Sequence, residues 1–108
     1  MNRLLPPLHE GHAPIFLHQA FEDALEAFEA WHPGTSEPLV EFEERRVPIS
    51  SVFGRMRSCT DTLPLRIADH VGALLGSEAG PLLDSGQATY AEAAILLRAM
   101  AVERLRNS

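Results

Sequence analysis

The sequence predicts an all-α fold, a small bundle of about four helices. Three segments, residues 15–32, 64–75 and 89–106, carry apolar side chains three and four residues apart, which is the spacing of one face of a helix. Proline and glycine lie between these segments, and both are disfavoured in a helix interior. The 108 residues match the size of one domain. We therefore expect a single helical domain over residues 15–108 and an N-terminal arm over residues 1–14.

The arm is expected to be extended. It holds three of the eight prolines and Gly11, and proline removes a backbone donor and disfavours helix in the residue before it. Leu4, Leu5 and Leu8 give the arm apolar side chains that can lie on its own domain or on a partner subunit. The sequence leaves both arrangements open.

The first helix has the clearest pattern in the chain. Its apolar side chains fall within an arc of about 80° when successive residues are placed 100° apart. These residues are Leu17, Phe21, Ala24, Phe28 and Trp31. The opposite side carries the acidic residues Glu22, Asp23, Glu26 and Glu29. One face is therefore predicted to be core and the other solvated, with Pro33 and Gly34 ending the helix.

Residues 39–47 fit two structures. Apolar and acidic residues alternate in the first half of the segment, as in a strand. Glu41 and Arg45, however, have the i, i+4 spacing of a helical ion pair. We predict a helix here, capped by Ser36 with Pro38 in its first turn, and keep a short strand as the alternative.

Two shorter helices are predicted next. Ser50 or Ser51 is expected to cap a helix that continues to Met56. Pro64 suits the first position of a second helix, which Gly76 should end because glycine is the usual residue just past a helix C-terminus. Sequence-specific DNA binding by a helix-turn-helix is not favoured, since the connection between these helices is longer than the usual 3–4-residue turn.

The last helix is predicted to be the central one. Residues 77–87 are predicted as a loop with one turn near residues 81–84. Thr89 and Glu92 then form a capping box, in which the threonine oxygen and the glutamate carboxylate accept hydrogen bonds from each other's backbone amides. The helix that follows is apolar on more than one side and so has to be covered on more than one side. The predicted core of the domain is Phe21, Leu25, Phe28, Trp31, Phe53, Ile67, Val71, Leu74, Tyr90, Leu97 and Leu105.

Composition excludes several classes of function. The formal charge of −6 has the wrong sign for a general nucleic-acid binder, which has to neutralise phosphates. Cys59 is the single cysteine, which rules out an internal disulfide and a four-thiolate zinc site. No segment approaches the roughly 20 apolar residues of a membrane span, and the first residues lack the apolar core of a secretion signal. A cytoplasmic protein without membrane contact is the expectation.

No residue pattern predicts catalysis, a cofactor or a metal site. The phosphate-binding, dinucleotide-binding, serine-hydrolase and dithiol motifs are all missing. His9 and His12 are three residues apart, whereas helical zinc motifs place histidines four apart. An enzyme or a ligand-binding protein that uses Cys59, His70 or carboxylates such as Glu41, Glu43 and Glu44 is the alternative to a non-catalytic function.

Charge is divided along the chain. Residues 10–44 hold nine acidic residues and no arginine, a formal −9, whereas residues 45–66 hold five arginines and Asp61, a formal +4. The arginines can pair with the acidic face inside the fold or across a dimer. Alternatively, the arginine segment binds an acidic partner or a nucleic acid, or the acidic surface imitates nucleic acid, as small inhibitory proteins of phage or mobile elements do.

We therefore predict a non-catalytic interaction or regulatory protein that forms a homodimer or binds another protein. The candidate interaction residues are Arg45, Arg46, Arg55, Arg57, Arg66, Glu22, Glu26 and Glu29. The candidate dimer interface lies on the last helix and consists of Ile95, Leu96, Met100 and Val102.

Overall fold

A computed structural model describes residues 15–32, 34–76, 80 and 87–106. The order of elements is α1 (Ile15–Ala30), β1 (Leu39–Phe42), β2 (Arg45–Pro48), α2 (Ile49–Arg55), a 3₁₀ turn (Met56–Ser58), α3 (Leu65–Leu75) and α4 (Tyr90–Arg106). The described part of the chain is mostly helical, as predicted, and contains a two-stranded antiparallel sheet. The predicted arm and the predicted turn near residues 81–84 lie outside the described residues. No described helix is long and apolar enough to span a bilayer.

The apolar face of α1 is buried as predicted. Its aromatic side chains pack edge to face against one another and against α2, the geometry that aromatic pairs favour. The ring centroids of Phe21 and Phe53 are 5.8 Å apart, and those of Phe28 and Trp31 are 5.7 Å apart. Trp31 also donates its indole N–H to the Thr35 carbonyl at 3.1 Å, which closes the chain back onto the end of the helix.

The predicted helix over residues 39–47 is wrong, and the alternative strand is correct. β1 and β2 form a hairpin in which Val40 pairs with Val47 and Glu41 with Arg46. Val40 and Phe42 are buried while Glu41 is exposed, so the alternation of apolar and acidic residues outweighed the helical spacing of Glu41 and Arg45. The burial of two side chains stabilises the hairpin more than one exposed ion pair would stabilise a helix.

The caps predicted for residues 36–51 are also wrong. Neither Ser50 nor Ser51 caps α2, because both lie within the helix, whose N-cap position is Pro48. The Glu37 carboxylate instead accepts a hydrogen bond from the Ser50 amide at 2.7 Å. The Pro38 carbonyl accepts a hydrogen bond from the Ile49 amide at 3.1 Å. Pro38, which was expected in the first turn of a helix over residues 39–47, therefore supports the start of α2.

The boundaries of α3 and α4 are close to the prediction. Pro64 is the N-cap of α3 rather than its first residue, and Gly76 ends the helix at a φ of 62°, which favours glycine because it has no Cβ. The capping box of α4 is confirmed: the Glu92 amide donates to Thr89 Oγ1 at 3.2 Å, and the Thr89 amide donates to the Glu92 carboxylate at 2.9 Å.

The centre of the fold is α2 rather than the predicted α4. The short helix α2 packs against α1, both strands and α4, and Ile49, Val52 and Phe53 are fully buried. The predicted core is otherwise confirmed apart from two leucines. Leu74 is only partly buried, and Leu105 is 38% exposed because it lies near the end of α4, beyond the elements that cover the helix.

Candidate functional site

A cationic pocket lies between α2 and α4, and we call it the arginine pocket. It has a volume of about 310 Å³. Its lining residues are Ser50, Ser51, Gly54, Arg55, Arg57 and Arg98. Arg55 and Arg57 come from the predicted arginine segment, whereas Arg98 is contributed by α4 and was not predicted. The pocket therefore joins two regions that are far apart in the sequence.

Local packing sets the positions of these arginines. The Arg55 guanidinium lies over the Phe42 ring, 5.3 Å from its centroid, so the hairpin supports it through a cation–π contact. Arg98 crosses Gly54, where an added Cβ would lie 3.7 Å from Arg98 Nε. Gly54 therefore has no side chain to fill the space beside Arg98, although glycine weakens a helix by about 1 kcal/mol relative to alanine.

Arg55, Arg57 and Arg98 are exposed and have no ion pair with any residue that the structure describes. A guanidinium carries five N–H donors in a planar fork that matches a carboxylate or a phosphate. Arg45 and Arg46 are also exposed, but they lie on β2 and do not line the pocket.

Arg66 belongs to a different surface, which we call the paired surface. Its guanidinium donates two hydrogen bonds to the Glu22 carboxylate, at 2.9 and 3.3 Å. Nearby, His70 Nε2 lies 3.0 Å from Glu29 Oε1. Together, Glu22, Glu29, Arg66 and His70 connect α1 with α3. Of the predicted acidic interaction residues, Glu26 is exposed and has no ion pair among the described residues.

A second polar cluster lies beside Tyr90. His18 on α1 faces Cys59 and Asp61, which lie between the 3₁₀ turn and α3. His18 Nε2 is 3.4 Å from Asp61 Oδ2, and Cys59 Sγ donates to the same oxygen at 3.5 Å. His70 is the histidine nearest to Cys59 along the chain, but the fold places His18 beside Cys59.

The surroundings of Cys59 disfavour its thiolate. Burial raises the pKa of the Cys59 thiol, and the charge of Asp61 acts in the same direction. A nucleophilic cysteine needs the opposite shift, because the thiolate is the reactive form. Burial also raises the pKa of Tyr90, whose ring stacks on His18 with centroids 4.8 Å apart.

The remaining predicted residues are dispersed. Glu41, Glu43 and Glu44 are exposed on the hairpin and do not line the arginine pocket. On α4, Ile95 is 56% exposed, and Leu96, Met100 and Val102 are half-buried. Their role in a dimer interface stays a prediction. Comparison of the chain with protein-family models, curated proteins and solved structures found no match.

Proposed function

We propose that the chain is a non-catalytic interaction protein that binds an acidic segment of a partner protein in the arginine pocket. The observation that supports this proposal is that three exposed arginines line one pocket and have no ion pair with a carboxylate among the described residues. Keeping like charges together is unfavourable unless an anion is bound, so the arrangement is typical of a site for carboxylates.

The shape of the surface also favours an extended segment over a small ligand. Ile95, Arg98 and Val102 are spaced three and four residues apart on α4 and therefore share one face of the helix. Apolar surface thus continues directly from the cationic pocket. A peptide that carries acidic and apolar side chains can use both parts, as hot spots in interfaces commonly combine arginine with apolar anchors.

A protein partner fits the charge of the whole chain better than a nucleic acid does. The net charge of −6 repels a polyphosphate backbone, whereas a short acidic segment interacts mainly with the local cluster of arginines. Ser50 and Ser51 add hydroxyl groups to the lining of the pocket, and these can orient a carboxylate. The self-association predicted for α4 would place a second copy of the chain on the same side of the molecule.

The test is the binding of a fluorescein-labelled oligoglutamate peptide, measured by fluorescence anisotropy. The double variant R55Q/R98Q is compared with R45Q/R46Q, which has the same net charge but changes only arginines outside the pocket. We expect R55Q/R98Q to weaken binding at least about tenfold, because a hydrogen bond to a charged group contributes about 1.5–3 kcal/mol. R45Q/R46Q should change it little, and rising salt should weaken binding to the wild type.

Equal losses in the two double variants would mean that the peptide follows net charge, and the proposed site would be wrong. Tighter binding of a single-stranded oligonucleotide than of oligoglutamate would overturn the choice of an acidic protein as partner. Circular dichroism of each variant confirms that it is folded before the affinities are compared.

A further inference from the structure

We propose that His18, Cys59 and Asp61 form a binding site for a zinc ion. One donor atom from each residue meets at a single place: His18 Nε2, Cys59 Sγ and an Asp61 carboxylate oxygen all lie within 4.8 Å of one another. The site is separate from the arginine pocket and does not depend on the function proposed for it.

The distances between donor atoms resemble those around tetrahedral zinc. With Zn–S of about 2.3 Å and Zn–N or Zn–O of about 2.0–2.1 Å, neighbouring ligand atoms lie about 3.3–3.6 Å apart. The separation of His18 Nε2 from Asp61 Oδ2 is 3.4 Å, and that of Cys59 Sγ from Asp61 Oδ2 is 3.5 Å. Two of the three edges therefore already have the length that zinc requires, and the third has to shorten by at most about 1 Å.

The buried nitrogen of His18 is a second, independent observation. His18 Nε2 is shielded from solvent and has no hydrogen-bond partner among the described protein atoms. Its contact with Asp61 Oδ2 has the distance of an ion pair but not the geometry of a hydrogen bond. An unsatisfied buried polar atom is costly. A metal ion bound at Nε2 would remove that cost.

The backbone holds these residues in place without the ion. The Ala91 amide donates to the Cys59 carbonyl at 2.8 Å, and the Tyr90 amide donates to the Asp61 carbonyl at 3.0 Å. These two hydrogen bonds hold the backbone of Cys59 and Asp61 against the start of α4. Stacking on Tyr90 fixes the ring of His18. A site that is rigid before binding loses less conformational entropy on binding.

The donor set selects the metal. One thiolate, one imidazole and one carboxylate suit a borderline ion such as Zn²⁺, whereas Ca²⁺ and Mg²⁺ take oxygen ligands. Three protein ligands leave a fourth position for a water molecule. Binding replaces the thiol proton of Cys59 by the metal, so one proton passes to the buffer and affinity falls as pH is lowered. The Asp61 side chain is 24% exposed, which gives the ion a path from solvent.

The test is a titration of the reduced, chelator-treated protein with Zn²⁺ by calorimetry and with Co²⁺ by absorption spectroscopy. We expect one ion per chain and, with Co²⁺, thiolate-to-metal charge-transfer absorption in the near ultraviolet. H18Q, C59S and D61N should each weaken binding at least about tenfold, a loss that even changes outside the ligand shell can produce. Zn²⁺ should also protect Cys59 of the wild type from alkylation, a readout that needs no variant.

Two matched controls make the result specific. His70 and Glu29 form another histidine–carboxylate pair, with atoms 3.0 Å apart but no thiol beside them, so H70Q should bind Zn²⁺ as the wild type does. The double variant H9Q/H12Q removes the two histidines nearest the N-terminus and should also bind normally. The proposal is overturned if Zn²⁺ neither binds nor protects Cys59, if C59S retains full affinity, or if H9Q/H12Q abolishes binding.

Discussion

The paired surface and the arginine pocket carry similar charged groups but treat them in opposite ways. On the paired surface, Arg66 forms two hydrogen bonds with Glu22, and His70 contacts Glu29. In the arginine pocket, Arg55, Arg57 and Arg98 are exposed and have no ion pair with a carboxylate among the described residues. The number of charges in a segment therefore says little about binding, whereas the pairing of each charge in the fold indicates which surface is available to a partner.

The largest expected effect tests whether the two surfaces share one core. Phe28 is on the buried face of α1 and Leu97 is on the buried face of α4, and both are at most 2% exposed. Truncating either to alanine should lower the free energy of unfolding by about 3–4 kcal/mol through lost burial and a cavity. Chemical denaturation followed by circular dichroism should show a single transition at a lower midpoint for each variant. If either variant kept the wild-type midpoint, the core assignment would be wrong.

A smaller effect concerns self-association beside the arginine pocket. Light scattering at micromolar concentration should show a dimer of the wild type and a monomer of I95D. Burying an isoleucine side chain contributes about 1.5–3 kcal/mol, so this change should raise the dimer dissociation constant by roughly ten- to hundredfold. Leu65 is a matched control because it is 79% exposed but precedes Arg66 of the paired surface; L65D should remain dimeric. A monomeric wild type would contradict the predicted dimer.

The smallest expected effect is a difference in melting midpoint between a variant of the paired surface and a variant of the arginine pocket. R66Q removes the partner of Glu22 and should lower the melting midpoint slightly at low salt. R98Q removes no ion pair among the described residues and relieves repulsion within the pocket, so its midpoint should stay the same or rise. Calorimetric scans at low and high salt check this, since salt should abolish the difference. A larger decrease of the melting midpoint in R98Q than in R66Q would contradict this prediction.

Elements determined by local sequence were predicted well. The apolar face of α1 and the capping box of α4 depend on residues within a few positions of one another, and both were confirmed. The hairpin was mispredicted because its turn gives no local signal. Glu43 and Glu44 adopt φ values of 54° and 65°, a conformation that usually calls for glycine or asparagine. Burial of Val40 and Phe42 against the rest of the fold decides the structure instead.

The candidate sites were only half visible in the sequence. Arg55 and Arg57 belong to the arginine segment that the charge distribution indicates, whereas Arg98 lies on the last helix, outside that segment. In the same way, Cys59 was considered as a reactive residue, but His18, which is close to it in space, lies on α1, about 40 residues earlier in the sequence. Both missing residues are brought in by contacts between elements that are far apart in the chain. Spacing within one segment cannot reveal such contacts.

The buried face of α4 consists largely of alanine, at positions 93, 94 and 101, each fully shielded. α4 packs against α2 and the 3₁₀ turn, and a larger side chain at any of these buried positions would have to displace the helix. Such a shift would carry Arg98 away from Arg55 and Arg57. The spacing of the three arginines therefore depends on buried, uncharged alanines. Substitution by larger side chains should be tolerated least at these alanine positions.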